Sequence, residues 1–152
     1  MRKKIIVIGL GNFGGNLAVK LAEDGHEVFG IDLNPEKVEL IQPKINHAVG
    51  LDSSKESSIN YMPLDDCDLV VVAIGEDVGA SITTTAHIKK HFNGRIIARS
   101  LTPVHKTVLE AMQIDEIIEP EAEYAIELAN RIMVKGAVKS MRRHTALEID
   151  RV

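Results

Sequence analysis

The chain has 152 residues, 45% hydrophobic and only 3% aromatic, with a formal net charge of −4 at pH 7. That length suits one domain with a real core and leaves no room for a substrate domain beside a nucleotide domain. The acidic balance and the scarcity of aromatic stacking platforms argue against nucleic acid as a partner. Charge is unevenly placed: residues 1–130 hold 12 Lys and Arg against 20 Asp and Glu, whereas residues 131–152 hold 6 against 2. Cys67 is the only cysteine, so no internal disulfide forms, and it reads as a small residue at the start of a buried strand. No apolar run reaches membrane-spanning length, and Met1-Arg2-Lys3-Lys4 leads into a strand rather than a signal peptide. A cytoplasmic location is expected.

The apolar run Lys4 to Gly9 predicts a first buried parallel strand, and the periodic segment 12–24, closed by Gly25, predicts its helix. A second strand follows at 27–31. Asn34 and Pro35 open a short helix that ends near Ile41. A third strand spans Asn46 to Gly50, and after Leu51-Asp52-Ser53-Ser54 a helix is expected through about Tyr61. The most apolar run, Asp68 to Ile74, predicts a central fourth strand. The loop Gly75-Glu76-Asp77 then leads into a helix over Val78 to His91. Asn93-Gly94 turns the chain into a fifth strand, Arg95 to Ser100; Thr102-Pro103 starts a helix through Met112; Glu116 to Ile118 forms a sixth strand. Glu119-Pro120 introduces a last helix over Glu121 to Val134, and the basic segment 136–152 follows a domain of residues 1–135. Strands alternating with helices predict an α/β architecture, a Rossmann-like doubly wound parallel sheet of six strands with helices on both faces.

The strongest constellation is Gly9-Leu10-Gly11-Asn12-Phe13-Gly14, glycines at G-x-G-x-x-G spacing between the first strand and its helix. Gly9 permits the tight turn, Gly11 lets backbone approach a pyrophosphate, and Gly14 lets the helix pack against the strand. The second strand ends at Asp32, 18 residues after Gly14, where a carboxylate accepts hydrogen bonds from an adenosine ribose. The same acid repels a 2′-phosphate, which disfavours NADP against NAD or an adenosine phosphate. Leu33 and Asn34 complete that corner.

Later loops fall at the carboxyl ends of strands, where open α/β sheets bind ligands. Asp52 and Ser53 either contact adenine or cap the following helix; Ile74, Gly75 and Glu76 either line the pocket or form a plain turn. Arg99 is either a phosphate or interface contact or a member of a surface ion pair. His87 and His91, at i and i+4, read as a polar helix face, because no third ligand accompanies them. The hydroxyls of Thr83, Thr84 and Thr85 are expected to face solvent or a packing partner. Asp115, Glu116, Glu119, Glu121, Glu123 and Glu127 suit the start of a helix, with a divalent cation at Glu121 as the functional alternative. No catalytic set emerges.

With Gly9 to Gly14, Gly25-His26-Glu27-Val28, Asp32-Leu33-Asn34, Ala73-Ile74-Gly75 and Ile117-Ile118-Glu119-Pro120-Glu121 in order, residues 3–135 resemble the RCK or KTN family. These regulators of K⁺ conductance occur in the KtrA- and TrkA-like cytoplasmic subunits of bacterial potassium uptake systems. The resemblance implies binding of ATP, ADP or NAD(H), with AMP also open, and homodimers assembling into an octameric ring. The ring docks at the inner face of the membrane on a potassium channel or transporter subunit. It carries the phosphates to Gly9, Gly11 and Gly14, the ribose to Asp32, the adenine to Asp52 and Ser53, and a cation between subunits to Glu121. Asn12 stands where KtrA-like chains usually have an arginine, and the family's smaller C-terminal lobe does not follow. A nucleotide-sensing regulatory subunit, not an enzyme, is therefore expected; the alternative is the NAD-binding domain of an oxidoreductase.

Overall fold

The computed structural model describes residues 1–144, with side chains described through residue 135. Residues Met1–Ile118 form one unit, and a second begins at Glu119. The first unit holds β1 (Lys4–Ile8), α1 (Asn12–Glu23), β2 (Glu27–Asp32), α2 (Pro35–Ile41), β3 (His47–Gly50), β4 (Leu69–Val72), α3 (Val78–His91), β5 (Arg95–Arg99), α4 (Pro103–Ala111) and β6 (Glu116–Ile118). The strands build a single six-stranded sheet in the order β3-β2-β1-β4-β5-β6. Every pairing is parallel, with Ile6 beside Phe29 on one flank of β1 and beside Val70 on the other.

The β-branched strands are buried on both faces, so alternate residues enter two separate cores. Ile6, Ile8, Val70, Val72 and Ile96 point to one face, where Ile88 of α3 and Leu109 of α4 meet them. Ile5, Val7, Val28 and Val71 point to the other, against Ala18 of α1 and Val38 and Ile41 of α2. Each fully buried Val or Ile contributes about 1.5–3 kcal/mol. The sheet is thus the doubly wound, helix-covered parallel sheet that the alternation of elements predicts. Asn34 accepts from the Glu36 amide ahead of Pro35, and Thr102 accepts from the His105 amide ahead of Pro103, so both helices start where capping chemistry places them.

Three differences from expectation exceed a single residue. The segment after Asp52 is not an α-helix: a 3₁₀ helix spans Glu56–Tyr61 and another Leu64–Asp66. Serine side chains compete for the backbone here; Ser58 Oγ donates to the Asp52 carbonyl at 2.6 Å, and Ser54 donates both its amide and its hydroxyl to the Asp52 carboxylate. Strand β4 ends at Val72 rather than Ile74, although the Ala73 amide still donates to the Ile8 carbonyl at 2.7 Å. The last helix, α5 (Pro120–His144), runs ten residues past the expected end at Val134. Gly136 alone costs a helix only about 1 kcal/mol, and no proline interrupts the stretch. The helix therefore continues into the basic segment that sequence reading set apart from residue 136; residues 145–152 of that segment lie outside the described residues.

In α5 the start explains part of the acidic cluster. Glu123 Oε2 accepts from the Glu119 amide at 2.7 Å, a side chain reaching back to the first free donor of the helix. Arg131 lies over the Tyr124 ring at 5.6 Å and donates to its hydroxyl at 2.8 Å. Tyr124, Ile126, Leu128, Ile132, Met133 and Val134 are all exposed.

Candidate functional site

The strand order reverses between β1 and β4, and the crevice at the carboxyl ends of those strands is the topological switch point of such a sheet. The glycine turn occupies it. The Gly9 amide donates to the Ile31 carbonyl of β2 at 2.8 Å, and Gly9 has φ +97°, a conformation that L side chains rarely adopt. A Cβ on Gly14 would lie 1.8 Å from the Gly9 carbonyl oxygen, so helix α1 and strand β1 meet backbone to backbone. Gly11 differs: a Cβ there would meet nothing nearer than Lys37 Nζ at 3.9 Å. An open cradle thus lies above Gly11, at the N-terminus of α1, where free amides favour an anion.

Asp32 at the end of β2 reaches this turn. Its Oδ2 accepts from the Leu10 amide at 2.7 Å and its Oδ1 from the Asn34 amide at 2.8 Å. Leu33 is exposed and Asn34 caps α2, both beside the carboxylate. Asn12 is exposed at the first position of α1, its carbonyl accepting from Asn16 Nδ2 at 2.6 Å.

On the β4 side, Gly75 and Glu76 are exposed in the loop, with Ile74 half-buried beneath them. Glu76 Oε1 lies 3.5 Å from Lys37 Nζ, an ion pair from the β4–α3 loop to α2 across the crevice. Arg99 comes from the end of β5: its guanidinium is 5.8 Å from the Phe13 ring and would lie 3.0 Å from a Cβ on Gly75. Arg99, Phe13 and Gly75 therefore form one wall of the site.

The β3 loop is placed differently. Ser53 is 8% exposed and its hydroxyl is hydrogen-bonded to Thr84 Oγ1 at 2.9 Å, inside the core. The Asp52 carboxylate receives both Ser54 donors, and the hydroxyl bond holds its pKa below the ordinary carboxylate value. In this loop the Asp52 side chain holds the local turn, and the Ser53 side chain is spent on a core contact. Thr84 and Thr85 are fully buried while Thr83 is exposed, so the packing reading fits two of the three.

His87 and His91 clasp the same loop. His87 Nε2 lies 3.0 Å from the Ser54 carbonyl and His91 Nε2 lies 3.0 Å from Glu56. Asp115 accepts from the Ile96 amide and Glu116 pairs with Arg95, which ties β6 to β5. Cys67 is half-buried, its thiol donating to the Leu69 carbonyl, and burial pushes its pKa up. Glu121 is exposed in the first turn of α5. Among the described residues no group of three His, Cys, Asp or Glu side chains converges to hold a metal. No helix among them is long and apolar enough to cross a membrane.

Sequence reading missed two residues. Lys37 borders the cradle, and its position five residues after Asp32 on a short helix was the available signal. His105 is fully buried between α3 and α4; its Nδ1 accepts from the Leu101 amide at 3.0 Å and its Nε2 lies 3.2 Å from Ser81 Oγ. Its spacing of four from Leu109 marks it as a core position.

Sheet order and glycine turn define a Rossmann-type domain. Residues 5–120 match the family model of the TrkA-N domain, and the chain belongs to that family. It is 35% identical over 152 residues to the Ktr system potassium uptake protein C of Bacillus subtilis, covering 98% of this chain and 69% of that protein. It is 34% identical over 130 residues to the Ktr system potassium uptake protein A of the same organism, covering 86% of this chain and 59% of the relative. The chain thus spans roughly three fifths to two thirds of the length of these curated relatives. The fold is shared with the NAD(P)-binding domain of an exopolyphosphatase-related protein from Archaeoglobus fulgidus, with TM-score 0.76 and 23% identity over 87% of this chain and 98% of that one. The Kef CTD of Shewanella denitrificans in its AMP-bound form has TM-score 0.72 and 17% identity over 86% of this chain and 80% of that one.

Proposed function

We propose that this chain is the nucleotide-sensing lobe of a cytoplasmic regulatory subunit that gates a membrane potassium channel or transporter. The observation that carries the reading is the glycine turn braced by Asp32 at the switch point of a TrkA-N domain. The named roles of the Ktr relatives in potassium uptake support the transport assignment.

The ligand is an adenine nucleotide or dinucleotide: NAD(H), ADP, ATP or AMP. Its phosphates would lie over Gly11 at the amides of α1, its ribose against Asp32, and Gly75, Glu76, Phe13 and Arg99 would line the far wall. Asp52 and Ser53 would meet adenine through the backbone of the β3 loop. The chain's residues bind and orient; the signal arises because a ligand shifts an equilibrium only by its differential affinity for two subunit arrangements. The exposed apolar residues of α5 suit contact with a second copy in a homodimer, and such dimers would close into an octameric ring. A divalent cation at Glu121 would need carboxylates from that second copy.

A thermal-shift panel of ATP, ADP, AMP, NAD and NADH, with and without Mg²⁺ or Ca²⁺, tests the reading. A native-state ligand raises the melting temperature by mass action. No shift with any of them at millimolar concentration would refute it.

A further inference from the structure

The glycine turn, Gly9 to Gly14, contains no charged side chain. A phosphate held above Gly11 would have amides for hydrogen bonding but needs a positive group from elsewhere to balance its charge. The positive group nearest Gly11 is the ammonium of Lys37, 3.9 Å from where a Gly11 Cβ would lie, whereas Arg99 stands against Phe13 and Gly75. The Lys37 side chain is 33% exposed, whereas those of the ion-paired lysines Lys4, Lys20 and Lys90 are 43–70% exposed. The side chain thus lies along the protein beside the turn rather than extending fully into solvent. Its partner Glu76 is 83% exposed, so parting the pair costs little. The nearby Asp32 accepts the Leu10 amide at one oxygen and the Asn34 amide at the other, which fixes its carboxylate in the turn.

We propose that Lys37 is the phosphate-binding cation of this site and that Glu76 is the counter-ion the incoming phosphate displaces. The proposal rests on the nucleotide reading above and deepens it. A phosphate above Gly11 takes over the ammonium, and repulsion between phosphate and carboxylate drives Glu76 away. The exchange removes the bond that joins α2 to the β4–α3 loop. Phosphate occupancy is thereby converted into a change between two elements, and unphosphorylated adenosine cannot trigger it.

Titration calorimetry with ADP, AMP and adenosine on the wild type, Lys37→Gln, Lys37→Arg and Glu76→Gln tests this. Lys37→Gln should weaken ADP about tenfold and leave adenosine unchanged, since a hydrogen bond to a charged group contributes about that factor. Lys37→Arg should retain most of the affinity. Glu76→Gln should strengthen ADP about threefold by removing the competitor. Equal ADP binding by the wild type and Lys37→Gln would overturn the inference and leave the site reading standing. So would equal binding of ADP and adenosine by the wild type. A wild type that binds none of the three and also fails with NAD would overturn both.

Discussion

The carboxylate of Asp32 accepts the backbone amide of Leu10 at 2.7 Å, joining the end of β2 to the glycine turn that follows β1. Its other oxygen accepts the Asn34 amide at 2.8 Å, so one side chain organises two loops before any ribose arrives. Asp32→Ala should cost about 1–3 kcal/mol, because two amides in a partly buried site lose their acceptor. Asp32→Asn keeps one acceptor oxygen and should cost less, while nucleotide affinity falls in both variants. Urea unfolding alongside calorimetry separates the two roles.

The glycines of the turn should divide cleanly under substitution. Gly14→Ala drives a methyl group into the Gly9 carbonyl, and Gly9→Ala combines φ +97° with contacts of 2.8 Å to the Ala73–Ile74 backbone. Either should lose more than about 3 kcal/mol or fail to fold. Gly11→Ala meets only a lysine tip at 3.9 Å and should fold within about 1 kcal/mol of wild type, yet lose nucleotide binding. Circular dichroism melts with and without ADP will distinguish the three.

His105 predicts a pH dependence. Because Nδ1 accepts the Leu101 amide, the proton sits on Nε2, and burial lowers the pKa below its ordinary 6.5. A lowered native pKa means the unfolded chain binds more protons in this range. The contribution is therefore complete above about pH 6.5 and is lost as pH falls toward the native value. His105→Leu should flatten this part of the melting-temperature profile between about pH 8 and 5.5. At neutral pH it should cost about 1–3 kcal/mol, because Leu101 loses its acceptor.

Glu56 acts lower on the scale. Hydrogen bonds from His91 and Lys90 push its carboxyl from 4.5 down to about 2. Its contribution is present above about pH 4.5 and disappears as pH falls through about 2. Glu56→Gln should flatten that acid limb; since the pair is exposed, the change at neutral pH should be small. Melts across the acid range in the two proteins measure it.

Much of this molecule is legible in its residues. Ile5 to Ile8 announce a strand buried on both faces, and Gly9, Gly14 and Asp32 place the turn and the acid correctly at the switch point. What escaped reading depends on partners far along the chain. Ser53 looks like a loop hydroxyl until Thr84, 31 residues on, is seen to take it. Lys37 looks like a solvated helix lysine until sheet order sets it beside Gly11 and Glu76. After Asp52 the serine side chains bond nearby backbone and the chain winds into a 3₁₀ helix, and α5 runs on beyond Val134 into the basic segment.

The turn's three glycines answer to different masters. Gly9 and Gly14 are demanded by backbone contact within the fold, so a descendant that abandoned its ligand would still have to keep them. Gly11 faces only open space and a lysine tip, and selection for folding alone would let it drift. Across relatives of this chain, the middle glycine is therefore the informative letter: its loss would mark proteins that have retained the scaffold but stopped listening.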